Sequence, residues 1–258
     1  MNAVYTTNKL EWIDAENTLL SGVCQIDNFP WGQRFYWDKG PDHGKYNFIR
    51  LLNEGMDEEE FDRIVEEQGA FFRERSKSLH IKIPSSIFPT SPKFLDRFKL
   101  TGCPLVSILI QQKLLPSLEE KASISIQGCK TSGDLESFIQ VNASGRDWPL
   151  DHHVYNSLRQ SFLPESSDIT YYLLCTDGKP ACTAIVIYFG NKFNLQLLAT
   201  HKDFQRRGLM NYMNLWLVQE LKKDFYVQVN DNEPSYLYYS SLPGATIVNT
   251  EVKYIAGK

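Results

Sequence analysis

The sequence lacks the features that mark several special classes of protein. Its five cysteines, Cys24, Cys103, Cys129, Cys175 and Cys182, are odd in number and scattered, with no Cys-x-x-Cys among them. That excludes a disulfide framework and a zinc cage, and leads us to expect free thiols in a reducing, cytoplasmic compartment. No apolar run approaches the roughly 18 residues of a membrane span, and the first residues lack the basic-then-apolar pattern of a signal peptide. Basic charge is not in excess: 27 Lys and Arg stand against 31 Asp and Glu, for a net charge of −4. An isoelectric point near 5.8 argues against a nucleic-acid partner, which requires a basic domain or stripe. Low-complexity tracts, long charge blocks and coiled-coil heptads are missing as well. What is present is 258 residues with 42% hydrophobic content, enough for a real core in one large or two modest domains.

The most informative stretch is Leu197 to Met210. An apolar strand runs into a short polar turn, then Gln205-Arg206-Arg207-Gly208, then a helix on which Leu209, Met213, Trp216, Leu217 and Leu221 recur at helical spacing. Free main-chain N–H groups and two arginines thus meet at a helix N-terminus, where the macrodipole favours negative charge and phosphate is the natural ligand. Lys222 and Lys223 close the helix where cations suit it. Downstream, Phe225 to Val229 reads as a strand. A turn, Asn230 to Glu233, with an Asn cap, then opens a helix from Ser235 to about Leu242 that stops at Pro243-Gly244. Upstream, Ile169 to Cys175, Ala181 to Phe189 and Phe193 to Ala199 read as three antiparallel strands, the first two joined by Asp177-Gly178. Lys121 to Gln127 adds a further strand. Thr131-Ser132-Gly133-Asp134 caps a helix through Val141, and another runs from about Leu150 to Phe162.

These elements resemble the GNAT acetyltransferase superfamily. Its acetyl-CoA signature, Gln/Arg-x-x-Gly-x-Gly/Ala after a strand, is matched by Gln205, Arg206, Arg207 and Gly208, with Met210 standing where Gly or Ala is usual. Its later Asn-x-x-Ala-x-x-Leu-Tyr-x-x-Leu element is matched by Asn232, Ser235, Tyr238, Tyr239 and Leu242. The resemblance covers roughly residues 122–258 and implies an α/β (α+β) fold, a mixed, mainly antiparallel sheet flanked by helices. It also implies an acetyl-CoA-dependent acyltransferase, needing no metal, that acts on an amine acceptor. Main-chain groups of Leu198, Ala199 and Thr200 are then expected along the pantetheine arm and the reacting carbonyl. Gln205, Arg206, Arg207, Gly208, Leu209 and Met210 are expected around the pyrophosphate, Asn232 near the pantetheine amides, and Tyr239, ahead of Tyr238, as the acid that protonates the leaving thiolate. The long Met210 side chain is expected to narrow the cofactor turn.

No base follows from the residues. Asn194 and Gln196, on the strand where some family members carry a carboxylate, are neutral. For Asp151, His152, His153 and His201 the reading as solvated surface residues is favoured. Asp147-Trp148-Pro149 reads as an acceptor-side loop. An alternative to the enzyme is a non-catalytic CoA-binding module, motivated by Met210 and the missing carboxylate. A Fem-type aminoacyl transferase is opposed by the acidic isoelectric point and the lack of a helical hairpin arm.

Residues 1–120 read as an accessory domain ahead of a catalytic domain at 121–258. A helix from Met56 to about Lys77 carries Phe61, Ile64, Val65, Gln68 and Phe72 on one face. An alternating strand at Leu79 to Ile83, a short helix from Pro92 to Leu100 ending at Gly102, and a strand at Leu105 to Ile110 follow. Helix, strand, helix, strand repeats the order seen after Arg207. A degenerate second GNAT-like unit is therefore expected, in a structural role and without a CoA loop of its own.

Overall fold

The computed structural model describes residues 11–53, 55–84, 98–101, 103–119 and 121–256. In chain order the elements are α1 (Glu11–Ser21), β1 (Gln25–Phe29), β2 (Gly32–Tyr36), β3 (Phe48–Leu51), α2 (Glu58–Arg73), β4 (His80–Pro84), β5 (Phe98–Leu100), β6 (Leu105–Ile110) and β7 (Ile124–Gly128). Then come α3 (Ser132–Arg146), α4 (His153–Ser161), β8 (Ile169–Thr176), β9 (Lys179–Phe189), β10 (Lys192–Thr200), α5 (Leu209–Leu221), β11 (Asp224–Asn230), α6 (Pro234–Ser240) and β12 (Ala245–Ala256). Contacts divide the chain into two compact units. The first holds residues 11–22, Ser107–Gln228 and Leu237–Val248; the second holds Val23–Val106, Val229–Tyr236 and residues 249–256. This differs from a single cut at residue 120, because each unit takes in segments from both sides of it.

In the first unit the strands lie in the order β7-β8-β9-β10-β11-β6. Neighbours from β7 to β10 are antiparallel. The β8–β9 turn is made by Asp177 and Gly178, whose φ angles of 49° and 74° give the two left-handed residues that a tight hairpin twist requires. Strand β11 is parallel to β10, with α5 as the crossover. Helix α3 starts on a capping box, Thr131 with Asp134. It runs past Val141 to Arg146, where Asp147 turns left-handed at φ 53°. One sheet face (Tyr171, Leu173, Ile185, Ile187) buries Ala15 of α1, Phe138 and Ile139 of α3, and Tyr155 and Leu158 of α4. The opposite face carries α5, whose Trp216 meets Tyr172 edge-on at 5.8 Å.

The second unit repeats the succession. Strands β1, β2 and β3 are antiparallel, α2 crosses over, and β4 returns parallel to β3, just as β8, β9, β10, α5 and β11 do. Asp57 caps α2 through Glu60 N–H, three glutamates fill its first turn and Arg73 its last. Its face of Phe61, Ile64, Val65, Gln68 and Phe72 is buried as expected, with its apolar members among Ile49, Ile81 and Ile83. Strand β12 pairs antiparallel with β4 through Glu251 to Ile255. Two expectations fail here. Strand β4 does not alternate between buried and exposed, because Lys82 is 4% exposed with its Nζ 3.7 Å from the Phe48 ring centroid. Burying a lysine against an aromatic face keeps its charge in contact with a π-quadrupole, so a polar residue here does not signal a wet face. Of the helix expected at Pro92 to Leu100, residues 92–97 and Gly102 lie outside the described residues. Phe98 to Leu100 form β5 instead, paired with β12.

Candidate functional site

The site grows from an interruption in the first unit's sheet. Strands β10 and β11 pair from Lys192↔Asp224 to Leu195↔Val227 and no further, although both continue. The cause is a bulge in β10 between Gln196 and Ala199, where Leu197 takes φ 47°. A left-handed leucine costs about 1–2 kcal/mol and persists only when its surroundings impose it. They do so here. The Leu197 carbonyl accepts from Asn142 Nδ2 at 2.5 Å and from Thr183 Oγ1 at 3.3 Å. Asn142 also donates to Thr183 Oγ1 at 3.0 Å and accepts from the Tyr155 hydroxyl at 3.0 Å. All three partner side chains belong to fully buried residues.

Past the bulge, His201 N–H donates to Ala181 O at 2.8 Å, continuing the β9 ladder. By the alternation of an antiparallel ladder, the Thr200 main-chain groups point away from β9. The Thr200 carbonyl accepts from Gln205 Nε2 at 3.3 Å, and the Leu198 carbonyl from Arg146 Nη2 at 3.1 Å. The Leu198 carbonyl, expected to serve a ligand, is therefore already engaged. Gly145 on α3 has to be glycine, since a Cβ there would sit 2.5 Å from the Thr200 oxygen. Cys182 Sγ lies 3.2 Å from Thr200 Oγ1, and burial pushes its thiol up to about 11, against the pull of that hydrogen bond.

A 3-10 turn, Lys202–Phe204, leads to Gln205. Arg206 and Gly208 both have positive φ, 62° and 73°. A change of hand between neighbouring residues is the backbone pattern that, in other proteins, turns successive N–H groups toward one concave side. Gly208 is the N-cap, and no side chain caps the helix. The space a Cβ on Gly208 would occupy has no heavy atom within 4 Å, so nothing outside its chain neighbours packs on that side of the residue. Gln205 to Gly208 are exposed, Leu209 is buried and Met210 half-buried. Arg207 folds back on the turn, donating to Asp203 O at 2.9 Å with its guanidinium 5.1 Å from the Phe204 ring centroid.

Two asparagines one turn apart on α5 hold two tyrosines of α6. Asn211 Oδ1 accepts from the Tyr238 hydroxyl at 2.6 Å, and Asn214 Nδ2 donates to the Tyr239 oxygen at 3.0 Å. Tyr239 is 3% exposed, and burial raises its phenol above the usual range, more strongly than the Asn214 bond lowers it. Burial raises Tyr238 likewise. Asn232 is exposed in the turn before α6, in the second unit, and the residue preceding the helix is Glu233 rather than an Asn.

The residues expected on the acceptor side are less solvated than expected. His152 stacks on Trp148 at 4.2 Å and caps α4, His153 lies 4.1 Å from it, and both are half-buried; Asp151 is exposed. Trp148 packs on the core, with Arg146 5.0 Å from its ring centroid. His201 Nδ1 accepts from Asp203 N–H, capping the 3-10 turn. Sequence reasoning missed Asn142, Asn214 and Gln228. The signal for the first two was an asparagine in the middle of an apolar helix face. Among the described residues no group of three His, Cys, Asp or Glu could hold a metal, and no helix is long and apolar enough to cross a membrane.

No protein-family model and no curated protein matches the sequence. Solved structures do match the fold. A GCN5-related N-acetyltransferase from Kribbella flavida superposes with a TM-score of 0.71 at 16% identity, over 99% of this chain and 97% of that one. A conserved protein of unknown function from Staphylococcus epidermidis gives 0.70 at 13%, over 90% and 93%. A tandem GNAT protein from the clavulanic acid biosynthesis pathway gives 0.58 at 10%, over 99% and 98%. At such identities the likeness speaks for architecture alone, and the architecture is clear: this chain has the GNAT fold, and its length aligns with a tandem form of it.

Proposed function

We propose that the chain is an acetyl-CoA-dependent N-acetyltransferase acting on a primary amine. The observation that carries this reading is the parting of β10 from β11 after Leu195 and Val227, followed within the same unit by the open left-handed turn of α5. A diphosphate would approach the main chain on the side of Gly208, where a Cβ would have no heavy atom within 4 Å. Gln205 to Met210 would hold it through N–H groups, with Arg206 and Arg207 supplying positive charge. Leu198, Ala199 and Thr200 would line the pantetheine arm along the edge that β10 exposes. Bound there, the donor supplies an acyl group on a thiol leaving group.

The remaining chemistry falls to this chain's side chains. Asn214 donates to the Tyr239 oxygen, which leaves the phenolic hydrogen free to point elsewhere. Burial keeps that phenol protonated at neutral pH. As the amine nitrogen forms the C–N bond and the C–S bond breaks, sulfur leaves with the bonding pair and takes the Tyr239 proton. The proton shed by nitrogen then restores the phenol. The Thr200 N–H, turned away from β9, is suited to the carbonyl oxygen as it gains charge.

A second reading, a CoA-binding module without turnover, draws on the neutral Asn194 and Gln196 and on the depth of Tyr239. Mixing acetyl-CoA with a panel of amines separates the two. Release of free thiol supports the transferase, calorimetric CoA binding without release supports the module, and no heat with CoA removes both.

A further inference from the structure

On β10, Asn194 and Gln196 share the face that carries Ile185 and Ile187, their partners on β9. Gln196 directly follows the last β10–β11 pair. There its side chain bridges the parting strands: Nε2 donates to Asn194 Oδ1 at 2.8 Å and to Gln228 Oε1 at 3.2 Å. Gln228 Nε2 donates onward to Ser107 Oγ at 3.4 Å. The chain of bonds ends at Asn194, which is fully buried and whose Nδ2 has no hydrogen-bond partner. A buried amide donor left unmade is rare enough to require a cause. Asn194 lies in the last paired stretch of β10 and is joined through Gln196 to the point where the strands part, so a ligand oxygen entering there is the cause we assign.

The cluster is also uncharged. Its members are three amides and a hydroxyl, and none of them can take a proton from an ammonium group. On the same strand Lys192, two residues before Asn194, adds a positive and not a negative charge, its Nζ 5.9 Å from the Tyr226 ring centroid. The acceptor must therefore arrive largely neutral. At pH 7 an alkylamine of pKa near 10.4 is neutral in only about one molecule in 2,500, whereas a peptide α-amine of pKa about 7.7–8.0 is neutral in roughly one in ten.

Building on the N-acetyltransferase reading, we infer that the acceptor is a weakly basic amine with a carbonyl oxygen beside it, the α-amine of a peptide or an aminoacyl amide. Asn194 Nδ2 donates to that oxygen, and Gln196 and Gln228 hold Asn194 in place.

The test follows thiol release from acetyl-CoA with an aminoacyl amide, an n-alkylamine, and a fluoroalkylamine whose pKa matches the amide but which lacks the carbonyl. At pH 7 the aminoacyl amide should exceed the alkylamine in kcat/KM by more than about 100-fold, and the gap should narrow as pH rises toward 10. It should exceed the matched fluoroalkylamine by about tenfold, the share of one hydrogen bond. Asn194→Leu should erase that last preference while leaving KM for acetyl-CoA unchanged, and Asn194→Asp should speed the alkylamine by supplying a base. An alkylamine used as well as the amide at pH 7, or a preference untouched in Asn194→Leu, overturns the inference while CoA binding and thiol release stand. The wild-type panel decides the question even if a variant fails to fold. Absence of CoA binding, or of thiol release with every amine, instead defeats the transferase reading and this inference with it.

Discussion

Single positions carry most of what distinguishes this molecule from a generic α/β sheet. Gly208 is left-handed and faces open space, so two effects of substitution separate cleanly. Gly208→Ala should cost about 1 kcal/mol of stability from backbone strain, read by urea denaturation, and keep CoA binding. Gly208→Glu should cost little more in stability but lower CoA affinity by over about 100-fold in calorimetry, because a carboxylate replaces open space beside a bound diphosphate. Tyr239→Phe should lower kcat by about 100-fold with KM for acetyl-CoA unchanged, as loss of a general acid does. Because burial raises the phenol, wild-type kcat should hold through pH 10 rather than fall at the ordinary tyrosine pKa; a fall beginning near pH 8 would assign the acid elsewhere. The turn at Gln205 to Gly208, between strand and helix, was legible in the sequence because its glycine and its place before an apolar helix are set by main-chain geometry. Asn194 was legible only as a missing carboxylate, since nothing in its identity states that its amide is buried with a donor unmade.

At the scale of elements, β10 is a strand held out of register by a polar network. Asn142 joins Leu197 O, Thr183 and Tyr155, and no water-exposed route replaces those bonds. Asn142→Leu should therefore destabilise by about 2–3 kcal/mol, and Tyr155→Phe by about 1 kcal/mol, in urea melts. If the bulge depends on Asn142, CoA affinity should fall in the first variant and survive in the second; equal affinity in both would detach the bulge from the network. The elements around it were read correctly where local chemistry is strong: the Asp177-Gly178 hairpin, the Thr131–Asp134 box, the acid-led start of α2. Reading failed where burial overrides residue type. Lys82 sits inside β4, and Arg50 and Glu251, both fully buried, pair at 2.9 Å across 201 residues of sequence. Such charges read as surface in any local window. The bulge itself left no mark, because Leu197 is an ordinary strand residue.

For the whole molecule, two properties follow from how the chain is apportioned. The first unit buries neutral acids: Cys129 and Tyr155 are each pushed up to about 12, and Tyr171, Tyr172, Cys175 and Cys182 are raised too, all chiefly by burial. Each keeps its proton in the folded state and loses it in the unfolded state once pH passes the ordinary value. Their contribution is therefore complete below pH 8 and is lost as pH rises, at up to about 1.4 kcal/mol per pH unit per group. Urea midpoints should be flat near neutrality and drop steeply above pH 9. The second property is strand exchange between the halves of the sequence. Strand β6, from before residue 120, lies beside β11 in the first unit, and residues 249–256 of β12, from after it, lie beside β4 in the second. Helix α1, from the start of the chain, supplies Ala15 to the first unit's core. A fragment of residues 121–258 keeps every residue of the Gln205–Met210 turn yet lacks α1 and β6, leaving β11 with an open edge and a core face uncovered. It should show no cooperative unfolding and no CoA binding alone. Coexpression with residues 1–120 should restore both, because the missing strands are then present in trans. A fragment that folds and binds CoA unaided would show that the exchanged strand and helix are dispensable, and that the chain divides at residue 120 after all.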